Sequence, residues 1–196
     1  MLPLRRRVHR TVSHLHRFQG VPMADKMFNV LFLSHNNAAR GLFAEALINR
    51  LGRTKFHGYS AGSHPKAEVD PLTVYELQRN NYDPAGLHSK DWSQFFAPDA
   101  PEMDFIFTLS DTVAAEAHPP WPGEPMIAHW RVADPTEAEG KEITRKAAFL
   151  RAFSELESRI SIFVNLPIES LDRLKLQRRL DEIGRSRHGE SQEPAA

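Results

Sequence analysis

The residues with the types and spacing to do chemistry fall in one run, Ser34-His35-Asn36-Asn37-Ala38-Ala39-Arg40, set between an apolar stretch and an amphipathic one. A short turn from strand to helix leaves the first amide N–H groups of the helix without intrahelical partners, and the helix dipole adds positive potential there. Such a turn is an anion cradle. Arg40 stands where its guanidinium can close over a tetrahedral oxyanion with two parallel hydrogen bonds. Residues His35, Asn36, Asn37, Ala38, Ala39 and Arg40 are therefore the expected oxyanion-binding set. The spacing indicates a phosphate-like anion and does not by itself indicate catalysis.

The elements that must position this run can be read outward from it. Phe28 to Leu33 is apolar on both faces after Asn29, as in a parallel strand covered by helices on each side. The helix beginning near Arg40 carries Leu42, Phe43, Ala46, Leu47 and Leu51 as its core-facing stripe. Downstream, a second strand is expected at 55–61. Asp70-Pro71 opens a helix with an acid cap and Pro in its first turn, apolar at Leu72, Val74, Tyr75 and Leu77. A short helix carries Trp92, Phe95 and Phe96. A third strand is expected at 104–109, then a long irregular segment rich in proline, then a fourth strand at 126–129. A long helix over 142–165 has the stripe Ala148, Phe149, Ala152, Phe153, Leu156, Ile160 and Phe163, and a last helix over 169–183 ends at Gly184. Strands alternating with helices imply an α/β fold, three layers around a four-stranded parallel sheet with right-handed crossovers. Ligands in such folds sit beyond the carboxyl ends of the strands. The 34–40 loop, Ser110 and Asp134 all follow strands, so all three can reach one crevice.

Composition narrows the function classes. The 196 residues carry zero formal net charge, so no overall field favours nucleic acid or a membrane surface. No apolar run approaches the roughly 18 residues of a spanning helix, and a cytoplasmic protein is expected. The first acid is Asp25, and residues 1–22 hold Arg5, Arg6, Arg7, Arg10 and Arg17. That leader fits an organelle transit peptide or an upstream start before Met23, and on either reading residues 1–26 lie outside the fold. The domain is placed at 27–166, a C-terminal helix packed on it at 167–184, and a disordered tail at 185–196. There is no cysteine, which excludes disulfides, thiolate metal sites and any cysteine nucleophile.

The chain resembles the low-molecular-weight tyrosine phosphatase superfamily, specifically its arsenate reductase branch. The resemblance is carried by VLFL before a loop ending in Arg40, YSAGSHPK (59–66), DPLTVYEL (70–77), LHSKDW (87–92), DFIFTLSD (104–111), WPGEPMIAHW (121–130), ADP (133–135) and RISIFVNLP (159–167). It spans about 27–184. It implies the same three-layer fold and a loop of pattern Cys-x5-Arg, in which a thiolate attacks phosphorus or arsenic, the Arg holds the oxyanion and an Asp-Pro loop supplies the acid. On that pattern the catalytic positions are Ser34, Arg40 and Asp134, with Ser110 and His118 standing where further cysteines would serve arsenate reduction. Asn37, Arg40, Asp134 and Pro135 match. Ser34, His35, Ala38 and Gly41 depart, Gly41 replacing a hydroxyl residue that would steady the thiolate.

The replacement at Ser34 governs mechanism. A helix N-terminus can pull a thiol from about pKa 8.5 to roughly 3.5–7.5, whereas a serine hydroxyl needs an adjacent general base. His35 or His118 is a candidate base and Asp134 a candidate acid. Arsenate reduction by the family route needs electrons from thiols. Three readings follow. The first is an oxyanion-binding pseudoenzyme that takes phosphate, arsenate or a similar ion. The second is an active phosphatase or arsenate reductase-like enzyme using Ser34, Arg40 and Asp134. The third is a regulatory protein whose C-terminal helix binds a protein partner. A zinc site from His35, His118 and His129 is set aside, and no metal or cofactor is expected.

Overall fold

The computed structural model describes residues 26–186. The basic leader through residue 25 and the tail from residue 187 lie outside the described residues.

Four parallel strands form one sheet: β1 (Phe28–Ser34), β2 (Phe56–Gly62), β3 (Phe105–Thr108) and β4 (Met126–His129), in the order β2-β1-β3-β4. Strand β1 is central and doubly covered, as its apolar run requires. Val30 and Phe32 face one core, Leu31 and Leu33 the other, and all four are at most 1% exposed. On the first face pack helices α1 (Arg40–Leu51), α4 (Glu142–Val164) and α5 (Arg173–Arg185). On the other lie the 3-10 turn Trp92–Phe96 and the short helix α3 (Asp111–Ala115). Helix α2 (Pro71–Arg79) buries Leu77 in the larger core. That core is strongly aromatic, with Phe107 stacked 3.9 Å from Trp130 and Phe163 edge-on to both Phe105 and Phe107.

Several sequence expectations shift in detail. In α1 the buried set is Leu42, Phe43, Ala44, Leu47 and Ile48, while Leu51 is exposed. Asp70 caps α2 through Leu72 N, yet the buried face of α2 is Thr73, Glu76 and Leu77, with Tyr75 exposed. The segment after β3 is not wholly irregular, since the Ser110 side chain accepts from Val113 N and starts α3. The expected helix over 169–183 is divided into a 3-10 turn at Ile168–Ser170 and α5, because Asp172 caps a fresh start by accepting from Lys175 N. Its buried residues are Leu176, Leu180 and Ile183, while Leu174 is exposed. Gly184 does not end the helix. A Cβ there would stand 2.4 Å from His129 O and 2.7 Å from Trp130 Cδ1, so glycine lets α5 close onto β4.

Candidate active site

The 34–40 loop leaves the carboxyl end of β1 and is clamped from outside. The carbonyls of Ser34, His35, Asn36 and Ala38 accept from the amides of Ser63, His64, Lys66 and Asp70, and Thr73 Oγ1 adds a 2.8 Å bond to Ala38 O. Carbonyls bonded in this way fix the peptide planes of the loop. Asn37 takes the left-handed conformation (φ 44°), which asparagine tolerates better than most residues. Its side-chain amide donates to Ser60 Oγ and its side-chain oxygen accepts from Lys90 N. Ser60 in turn donates to Glu45, which pairs with Lys90 Nζ at 2.9 Å. Sequence reasoning missed this Glu45–Ser60–Lys90 brace and the contact from Thr73. The only signal for either was a polar residue at an inward helical or strand position.

Inside the loop the donors are partly used. Asn37 N donates to Ser34 Oγ at 3.2 Å and Ala38 N to Asn36 Oδ1 at 3.2 Å. The N-cap position of α1 is Ala39, which gives no side-chain cap, and the first turn of the helix has no acid. Arg40 is 4% exposed. Its Nη1 donates to Val132 O at 2.7 Å and to Leu109 O at 3.3 Å, and its Nη2 pairs with Asp134 Oδ2 at 2.6 Å. Its buried Nε–H has no acceptor. Burial pushes this guanidinium below its ordinary value, and the charges of Asp134 and Glu137 pull it back.

The remaining expected site residues are placed as follows. Ser34 is fully buried, its hydroxyl oxygen accepts from Asn37 N, and among the described residues no imidazole or carboxylate is hydrogen-bonded to that hydroxyl. Asp134 accepts four bonds, from Arg40 Nη2, Asn36 Nδ2, Thr136 N and Thr136 Oγ1. Ala38 and Ala39 have no exposed surface. A cleft of about 660 Å³ brings together His35, Arg40, Ser110 and Asp134, with Arg131 and Arg151 also on its wall. His118 is not in it. That ring packs against Trp92 and Trp121 and its Nδ1 meets Pro119 O. His129 pairs with Asp111 and Thr108, so His35, His118 and His129 do not assemble as a metal set. Sequence alone could not separate His118 from the loop, because the proline-rich segment gives no register.

Known proteins resemble this chain in sequence and in fold. The family model described as low molecular weight phosphotyrosine protein phosphatase matches residues 29–177. An arsenate reductase of Bacillus licheniformis is 29% identical over 135 residues, which is 68% of this chain and 93% of that protein. The solved arsenate reductase of Archaeoglobus fulgidus superposes with a TM-score of 0.57 at 23% identity, covering 70% of this chain and 99% of that one. An arsenate reductase solved in a phosphate-binding state gives 0.55 at 20% identity, covering 70% and 97%.

Proposed function

The chain belongs to the low molecular weight phosphotyrosine protein phosphatase family, on its arsenate reductase branch, and from that membership we propose that it is a cytoplasmic protein that binds phosphate, arsenate or a similar oxyanion without turning it over. The observation that carries this reading is Arg40: a buried guanidinium beside an uncapped helix start, with one N–H still lacking an acceptor. A buried donor of this kind is costly unless something accepts from it. Phosphate and carboxylate both suit the guanidinium fork, so an incoming oxyanion competes with Asp134 for the same cation.

Turnover is disfavoured on three counts. There is no thiol to form or resolve a covalent adduct. Ser34 is buried and has no base against it, so its hydroxyl stays a weak nucleophile. Asp134 faces donors on both oxygens, and an acid proton there would meet one of them. The enzyme reading with Ser34, Arg40 and Asp134 would require all three groups to be rearranged. For the partner-binding reading, α5 buries Leu176, Leu180 and Ile183 in the domain core and leaves Leu174 exposed.

Calorimetric titration with phosphate, arsenate and sulfate tests the proposal, alongside hydrolysis of p-nitrophenyl phosphate. Binding is expected at roughly millimolar to micromolar strength, lost in Arg40→Ala and weakened in Arg40→Lys, with no hydrolysis. Absence of heat with all three anions, or ester hydrolysis that disappears in Ser34→Ala, would overturn it.

A further inference from the structure

We propose that His35, His64 and Glu116 form a binding site for a divalent metal ion of the zinc class, at the edge of the Arg40 cleft that His35 also lines. Each residue offers one ligand atom, and the three atoms lie within 4.8 Å of one another. His35 Nδ1 is 3.4 Å and His64 Nδ1 3.9 Å from Glu116 Oε1, and the two imidazole centroids are 4.7 Å apart. A tetrahedral zinc with bonds of about 2.0–2.1 Å spaces its ligands about 3.3 Å apart. The observed separations reach that spacing with side-chain torsions alone.

The backbone has already gathered these groups. His35 is in the loop after β1, His64 follows β2, and Glu116 closes α3 after β3, so all three stand at the carboxyl edge of the sheet. His64 N donates to His35 O, tying two of the ligand residues together directly. Ser63 Oγ sits among the three, 2.9 Å from Glu116 Oε1, 3.2 Å from His64 Nδ1 and 3.4 Å from His35 Nδ1. One hydroxyl holding two imidazoles and a carboxylate in this way keeps them together before any ion arrives. It also stands where a fourth ligand would be, or gives way to water.

The donor set selects the ion. Two imidazoles and one carboxylate suit zinc and its neighbours, whereas calcium and magnesium require more oxygens than the site has. One carboxylate leaves the set with a single negative charge to set against the dication. The side chain of His64 is 69% exposed and that of His35 44%, which gives an ion direct access.

The test is titration of the full-length, chelator-treated protein with Zn2+ in buffer free of phosphate and arsenate, read by calorimetry, and with Co2+, read by the visible absorption of tetrahedral cobalt. One Zn2+ per chain is expected. Loss of a direct ligand in His64→Ala or Glu116→Gln should weaken binding by more than the roughly 10–100-fold typical of outer-shell changes. His118→Ala and His129→Ala should leave it unchanged. The exposure of His64 makes misfolding of that variant an unsuitable explanation for a loss, and circular dichroism checks it. No zinc uptake, or uptake that survives both His64→Ala and Glu116→Gln, overturns the proposal. Neither result bears on Arg40, so the oxyanion reading stands or falls separately.

Discussion

On the proposed function, an incoming oxyanion contends with Asp134 for one cation, Arg40. In the described state the winner is Asp134, whose carboxylate is 2.6 Å from Nη2 in a pair almost wholly out of solvent. Removing one partner of a buried pair strands the other, and Asp134→Ala should cost about 3–5 kcal/mol of stability by denaturant unfolding. Asp134→Asn is more informative, because it deletes the competing charge at nearly constant volume and keeps one acceptor oxygen, its amide nitrogen facing the donors of the other side. Phosphate should bind this variant more tightly than wild type in calorimetry; weaker binding would mean that Asp134 helps hold the anion rather than displacing it. Gly41 belongs to the same local logic. A Cβ there would stand 2.6 Å from Asn37 Nδ2, so the hydroxyl residue usual in the family does not fit beside Asn37 as placed. Restoring a cysteine at position 34 would therefore not by itself recreate the thiolate's surroundings.

Among the elements, α2 and α5 each make a contact that hydrophobic periodicity does not reveal. The inward face of α2 carries Thr73, which holds the loop through Ala38 O, and Glu76, which pairs with Arg79 and Asn80, beside the core residue Leu77. Thr73→Val deletes the bond to Ala38 O at nearly constant volume. It should cost about 1 kcal/mol and weaken phosphate binding while far-ultraviolet circular dichroism stays unchanged. For α5 the decisive residue is Gly184, pressed on β4. Gly184→Ala forces the helix away from His129 O and should destabilise by about 1–3 kcal/mol. Trp130 reports the event, since its Nε1 donates to Leu180 O and the ring is fully buried. Its fluorescence should shift to the red in the variant before the rest of the domain unfolds.

For the molecule as a whole, stability against pH is bounded by groups outside the site. Donors from Ser93 hold Asp91 below the ordinary carboxylate range, and the Lys175 amide does the same for Asp172. A depressed carboxylate stabilises the fold above its unfolded value near 3.9 and loses that contribution as pH falls through the folded one. Tyr59 and Tyr82 are raised, mainly by burial. Their contribution is complete below about pH 10 and is lost as pH rises through the raised values. Thermal melts should therefore give a broad neutral plateau that falls at both ends, with the acid edge softened in Asp172→Asn. Among the described residues no helix is long and apolar enough to cross a membrane.

The amino-acid sequence by itself determined the layered parallel sheet, the polar loop between β1 and α1 and the absence of any thiol. Each depends on local pattern or on the presence of an atom: a doubly apolar strand, a polar turn before a helix, no sulfur at position 34. It also placed Asp70 and β4 correctly, because a cap and a short apolar strand are set by near neighbours in the chain. Tertiary structure alone decided that Arg40 turns to Asp134, that Ser34 is sealed away, that Ser110 caps a helix, and that His64 and Glu116 meet His35 while His118 does not. These outcomes depend on contacts between residues far apart in sequence. Side-chain direction at such contacts is set by the packing of whole elements, which residue spacing does not encode.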